Sequence, residues 1–144
     1  MRRYQKIVRA LFAVVFIAGG IAHFVLGRLQ PEGYAVFADT ALFPWLSSLW
    51  MSFAMPHIGW LTIALGAYEI ACGIGMISQR SVTIAAWGML AFLVFITIVG
   101  YGFPVASLGE DLLKNRLITI AMAAMLIPLL RTADDGIQAS RPRA

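Results

Sequence analysis

Long apolar runs alternate with short polar segments along this 144-residue chain. A bilayer core about 30 Å thick requires roughly 20 apolar residues per helix, and four runs approach that length. The fourth run reaches it only by including Lys114 and Arg116, so the start of its helix is left open. We predict an all-α integral membrane four-helix bundle, one transmembrane domain over residues 1–144, with spans at about 7–27, 57–77, 82–103 and 112–130.

The composition also indicates that lipid, rather than water, is the main solvent of the chain. Hydrophobic residues make up 60% and charged residues 12%, against about 45–50% and 25% in soluble globular domains. A soluble domain of this length would need more polar residues to cover its surface. The same figures exclude an intrinsically disordered chain, which is poor in apolar residues.

The basic residues predict the orientation in the membrane. Four spans place both termini and the short turn at residues 78–81 on one side. That side carries eight of the eleven lysines and arginines, namely Arg2, Arg3, Lys6, Arg9, Arg80, Arg131, Arg141 and Arg143. Because cytoplasmic segments are rich in Lys and Arg, we predict that both termini are cytoplasmic (N-in/C-in). This topology accounts for the net charge of +4 without a nucleic-acid partner.

The first outer loop, residues 28–56, is too apolar to extend freely into water. Apolar residues recur in it at helical spacing, with serines between them, at Leu46, Leu49, Trp50 and Phe53. Pro44 and Pro56 bracket this segment, because proline favours helix starts and ends a preceding helix. We predict a short amphipathic helix at the membrane surface, with Trp45 and Trp50 at the level of the lipid headgroups.

The first span has some features of a signal peptide, because basic residues precede it. Its apolar run exceeds the roughly 7–15 residues of a signal-peptide core, and residues 28–31 offer no small-residue cleavage site. We therefore interpret it as a retained membrane helix.

Glu69 is the only acidic residue inside a predicted span. Glycines recur every seven residues on its face of the helix, at Gly59, Gly66 and Gly73. Such a face favours close helix packing, so Glu69 is expected to point into the bundle. Two hypotheses stay open: a proton-relay or ligand-binding group, or a neutral or hydrogen-bonded acid that fixes helix packing. The second hypothesis would give it a partner such as Tyr68 or Tyr101.

His23 is the second candidate site residue, because small residues surround it on its own helix at Gly19, Gly20 and Gly27. Helical rise places it roughly 12 Å from the depth of Glu69. We therefore expect no bond between His23 and Glu69 unless the helices are offset. His23 and His57 could suggest haem ligation or a metal site, but a metal normally needs three or four ligands and no Cys or carboxylate cluster supplies them, so no cofactor is expected.

Other common catalytic signatures are missing from the chain. Cys72 is its single cysteine, which excludes an intramolecular disulfide or a CxxC redox pair. We interpret it as a small hydrophobic residue of the span. The chain also has no Gly-rich phosphate loop after a strand and no plausibly spaced Ser-His-Asp set. An enzyme is therefore the least favoured class.

Three motifs carry a family resemblance: AGGIAHF at residues 18–24, GAYEIACGIGMI at 66–77 and AAWG at 85–88. The chain resembles the DoxX-like membrane proteins, which include MauE-type members. The resemblance implies a four-helix bundle in a bacterial plasma membrane with both termini cytoplasmic. It also maps the recurrent polar positions of the family onto His23 and Glu69. The long first outer loop departs from the shorter, Pro-rich loop of that family.

Two hypotheses on function follow. The first, based on the resemblance, is a non-enzymatic accessory or anchor subunit of a membrane redox or envelope-stress system, with a membrane protein or a second copy as its partner. The alternative is a small transporter, or a quinone- or lipid-binding module, that uses Glu69 and His23.

Overall fold

The computed structural model describes residues 2–139, and this part of the chain contains helices and no strands. Four of its helical segments are long and apolar enough to cross a membrane: Arg3–Leu29, Pro44–Ile77, Val82–Val99 and Leu108–Leu130. For the described residues, the prediction of an all-α fold with four helices long and apolar enough to span a membrane is thereby confirmed. Arg141 and Arg143, which contribute to the predicted orientation, lie outside the described residues, and the orientation stays a prediction.

The individual helices are separated by short non-helical segments or by changes of helix type. They are α1 (Arg2–Leu29), α2 (Pro44–Leu49), α3 (Ile58–Ile77), α4 (Val82–Val99), α5 (Leu108–Asp111) and α6 (Leu117–Ala139). A 3₁₀ segment, Pro31–Thr40, follows α1. We call the end of the bundle at residues 30–57 and 100–107 the loop end, and the end at residues 78–81 the turn end.

The helix that starts at Pro44 runs into the second span. It passes through a π-helical turn at Trp50–Ala54 and a 3₁₀ turn at Met55–His57 before α3 begins. The expected start at Pro44 is found, but Pro56 does not separate the two helices. Pro56 lies at the start of the 3₁₀ turn Met55–His57, where its missing N–H group leaves few hydrogen bonds unmade. The position of α2 at a membrane surface stays a prediction.

Helices α1 and α3 are antiparallel and approach each other at their glycines. A Cβ atom on Gly20 would lie 2.5 Å from the carbonyl oxygen of Gly66, and one on Gly66 would lie 2.7 Å from that of Gly20. Gly73 packs equally closely, against Ile17. Gly59 has no atom within 4 Å of its Cβ position. Two of the three predicted glycines, Gly66 and Gly73, therefore form the close contact of α3 with α1.

The largest fully buried apolar side chains fill the half of the bundle nearer the turn end. They come from all four long helices and include Phe12, Met76, Met89 and Leu126. Cys72 lies in the same cluster as a free, buried thiol. This apolar packing fixes the helices on the side of Glu69 that is remote from the loops.

A buried arginine joins the segments at the loop end. Arg116 is 6% exposed, and its Nε donates to Oδ2 of Asp111 at 2.7 Å. Its Nη2 donates to the carbonyl of Thr40 at 2.6 Å, and its Nη1 donates to that of Thr97. Asn115 also donates to Asp111, over 2.9 Å. We call this group the Arg116 clamp; it ties the first loop to α4 and to the residues that precede α6.

From the sequence, Arg116 is identified only as a charge that the fourth apolar run must include to reach spanning length. The fourth helical segment begins at Leu108, four residues before the predicted start, and the hydroxyl of Ser107 accepts a bond from the Glu110 backbone N–H. The longer start places Arg116 about two turns inside the helical segment. Its guanidinium is consequently surrounded by protein instead of water.

Candidate functional site

The Glu69 carboxyl lies between α3 and α1, and the residue is 4% exposed. It occupies the space left by the missing side chain of Gly19, because a Cβ atom there would lie 3.0 Å from Oε2 of Glu69. Among the described residues, Oε2 is the one buried side-chain oxygen or nitrogen without a hydrogen-bond partner. The prediction that Glu69 points into the bundle is therefore confirmed.

His23 lies beside Glu69, so the expected depth difference of roughly 12 Å is wrong, and the helices have the offset that was named as the condition for a contact. The distance from Nε2 of His23 to Oε2 of Glu69 is 3.6 Å, longer than a hydrogen bond but within the range of an ion pair. The side chain of His23 is 20% exposed and that of Glu69 is 5% exposed. The two candidate residues thus form one site.

The register of α1 against α3 explains this proximity. Gly27 packs directly on Thr62, so counting four residues along each antiparallel helix places His23 at the level of Gly66. Glu69 is only three residues, or about 4.5 Å, beyond that level. Helical side chains lean toward the N-terminus of their helix, so these two lean toward each other. The predicted depth difference between His23 and Glu69 was too large because it placed the start of α3 level with the end of α1.

Tyr34 completes the site from the first loop. Its hydroxyl lies 2.7 Å from Nδ1 of His23, and the residue is 7% exposed. The indole of Trp50 donates to the Tyr34 carbonyl at 2.8 Å, which holds the 3₁₀ segment against the adjoining helix. Sequence reasoning missed Tyr34, because a tyrosine in an irregular loop shows no periodicity. The sequence contains a single indication of its role: Tyr34 lies in a loop that is too apolar to extend freely into water.

The charge on Glu69 acts on tyrosines at the loop end. Burial, and secondarily the negative charge of Glu69, raise the pKa of Tyr34 above its usual value. The same two causes, in the same order, raise the pKa of Tyr101. A phenol with a raised pKa keeps its proton at neutral pH. Tyr34 can therefore donate to Nδ1 of His23, which leaves the protonated Nε2 facing the Glu69 carboxyl.

Tyr68, one of the suggested partners of Glu69, bonds elsewhere. Its hydroxyl donates to the carbonyl of Gly88 on α4 at 2.7 Å. A phenol has a single donor hydrogen, so this bond occupies it. Tyr68 therefore joins α3 to α4 and does not satisfy the carboxyl of Glu69.

A surface cleft of about 260 Å³ gives His23 access to the loop end. It lies between the last turns of α1 and the 3₁₀ segment and is lined by His23, Leu26, Gln30, Gly33, Tyr34 and Phe37. Gln30 and Gly33 are exposed. A small solute or a proton arriving at this cleft meets His23 and Tyr34 first, and Glu69 lies behind them.

The arrangement suits proton transfer and hydrogen bonding rather than metal binding. Tyr34, His23 and Glu69 follow one another from the cleft to the bundle interior, and each can exchange a proton. Over the described residues there is no group of three or more His, Cys, Asp or Glu side chains that could hold a metal ion. We call these three residues the Glu69 site.

Comparisons with known proteins yield no match to a family model, a curated protein or a solved structure. The resemblance to DoxX-like proteins therefore stays a prediction carried by the three sequence motifs.

Proposed function

We propose that this multi-pass membrane protein is a small proton-linked transporter or binding module, in which Glu69 exchanges a proton or binds a donor group of a small molecule. The observation that carries the proposal is Oε2 of Glu69, a buried acceptor without a hydrogen-bond partner. A carboxylate near the middle of a bilayer costs about 2.5–3.5 kcal/mol even on lenient insertion scales. A bound proton or a ligand N–H or O–H group relieves this cost.

The neighbours of Glu69 support exchange from the loop end. His23 lies 3.6 Å from the carboxyl and also lines the cleft. The imidazole can take up a proton on one nitrogen and release one from the other. Tyr34, bonded to Nδ1 at 2.7 Å, keeps the ring aimed at Glu69. If His23 and Glu69 formed only a structural pair, Oε2 of Glu69 would have a hydrogen-bond partner within the protein.

Proton binding tests this proposal without knowledge of the small molecule. Infrared titration of the purified protein should show a carboxylic-acid C=O band that Glu69→Gln abolishes. Glu32 is exposed, so Glu32→Gln should leave that band unchanged. In vesicles carrying a pH-sensitive dye, Glu69→Gln should also remove proton uptake by the folded protein. A folded Glu69→Gln protein with the band and the uptake of the parent would contradict the proposal.

The accessory or anchor subunit remains a second proposal, supported by the sequence resemblance alone. It places the chain in a bacterial plasma membrane beside a redox or envelope-stress system. Purification in mild detergent followed by mass spectrometry tests it: a stoichiometric membrane-protein partner would support this proposal, and a chain that is always alone would contradict it.

A further inference from the structure

A second cavity, separate from the cleft at His23, lies near the loop end. It has a volume of about 300 Å³ and is enclosed by the 3₁₀ segment, the helix 44–54, α3 and α4. Tyr34 forms a wall of both the cavity and the cleft. The volume is at the lower end of the roughly 300–1,000 Å³ of small-molecule pockets. It suits a slender group rather than a large ring system.

The polar atoms around this cavity are already bonded within the protein. The indole N–H of Trp50 donates to the Tyr34 carbonyl at 2.8 Å, and the Tyr34 hydroxyl contacts His23 at 2.7 Å. The hydroxyl of Thr62 bonds to the carbonyls of its own helix, the nearer at 2.9 Å. The remaining wall is apolar. A polar ligand would lose its hydrogen bonds to water and gain none here, so the cavity selects apolar groups.

The rim of the cavity is apolar and exposed. Three of its lining residues are large apolar side chains that are exposed: Leu49, Phe53 and Phe95. Phe95 lies four residues before Val99, the last residue of the membrane-spanning helix α4. That separation places it about 6 Å inside the end of the helix. The opening therefore lies beside the hydrocarbon of the bilayer, where acyl chains are the most abundant apolar groups.

We propose that this cavity binds one aliphatic chain of a bilayer lipid, which enters sideways between the helix 44–54 and α4. The bound chain packs against Trp50 and Tyr34, which both line the cavity. The two sites share Tyr34, but this proposal does not rest on the proton-linked function, because neither Glu69 nor His23 lines the cavity.

Fluorescence quenching tests the bound chain. Trp50 lines the cavity, whereas the other three tryptophans, Trp45, Trp60 and Trp87, are 63%, 54% and 58% exposed. These three are replaced by phenylalanine, and the protein is reconstituted into phosphatidylcholine with brominated acyl chains. We expect strong quenching of Trp50. A second protein that keeps only Trp60 reports general contact with the bilayer.

A cavity-filling variant separates internal from external lipid. Ala54 lines the cavity, so Ala54→Phe should reduce Trp50 quenching several-fold and leave Trp60 quenching unchanged. Ala64 is exposed on α3, and Ala64→Phe should change neither signal. If Ala54→Phe does not fold, Leu61→Phe fills the same cavity. The proposal would be overturned if Trp50 is not quenched in the protein that keeps only Trp50, or if it is fully quenched in a folded variant with a filled cavity. Neither result would bear on the infrared titration of Glu69.

Discussion

The hydroxyl of Tyr34 lies 2.7 Å from Nδ1 of His23, and this contact fixes which imidazole nitrogen faces Glu69. Tyr34 belongs to a loop segment, whereas His23 belongs to a membrane-spanning helix. The orientation of a half-buried side chain on a membrane-spanning helix is thus set by a residue outside the membrane-spanning helices.

Tyr34→Phe should therefore release the ring of His23 without removing the carboxyl. We expect the ¹⁵N NMR signals of His23 to show a mixture of tautomers, and proton uptake at Glu69 to slow several-fold with unchanged stoichiometry. Tyr101→Phe is the control, because it removes a phenol under the influence of Glu69 at a different place. A single, unaltered tautomer in Tyr34→Phe would contradict this assignment.

Glu69→Gln should leave the thermal stability of the protein equal or higher. Oε2 has no hydrogen-bond partner to lose, and removal of a potential buried charge relieves a desolvation cost. A carboxyl that fixes helix packing would instead lower the melting temperature when replaced. Thr119→Val gives the contrast, because the Thr119 hydroxyl is fully buried and bonded to Thr97 at 2.7 Å. This control should melt at a lower temperature than the parent.

Glu69→Gln should also shift the alkaline titration of tyrosine. The negative charge of Glu69 opposes ionisation of Tyr34 and Tyr101 and so raises the pKa of each. Loss of that charge lowers both pKa values, while burial, the larger cause, keeps them above the usual value. Tyrosinate absorbance should accordingly appear at lower pH in Glu69→Gln. Asp39→Asn should titrate like the parent, and identical curves for Glu69→Gln and the parent would argue against the assigned charge effect.

Gly66→Ala should separate α1 from α3. The new Cβ atom would lie 2.7 Å from the Gly20 carbonyl oxygen, and overpacking of this kind costs about 1–3 kcal/mol. Gly59→Ala is the matched control, seven residues earlier on the same helix, where the space is open. Alanine there should be neutral or stabilise the helix by up to about 1 kcal/mol. Equal free energies of unfolding for the two variants, measured in detergent, would contradict the close contact of α1 and α3 at Gly66.

Arg116→Met should strongly destabilise the loop end. The variant leaves Asp111 without its charged partner and removes donors from the carbonyls of Thr40 and Thr97. Breaking a buried ion pair from one side typically costs about 3–5 kcal/mol. Lys114→Met is the control, since Lys114 pairs with Glu110 at 2.5 Å on the surface and its side chain is 46% exposed. Arg116→Met should melt well below both the parent and Lys114→Met.

The number of spanning helices could be predicted from the sequence, because lipid imposes a minimum length on every apolar run. Glu69 and His23 could also be identified as candidates, because polar residues are costly in those runs. Their contact could not be predicted, since it depends on the packing of Gly27 against Thr62. Tyr34 and Arg116 were missed for related reasons: the path of the first loop is set by contacts with residues far away in sequence.

The Arg116 clamp has a consequence for the order of assembly. The carbonyl of Thr40 and the guanidinium of Arg116 are 76 residues apart in the chain. Thr40 ends the 3₁₀ segment that carries Tyr34, so this anchor of the first loop forms only after the fourth helix has been synthesised and inserted. A partly synthesised chain already contains Glu69 but lacks that anchor. The Glu69 carboxyl is thus delivered to the membrane before the first loop is anchored over it, and anchoring of that loop waits for the last span.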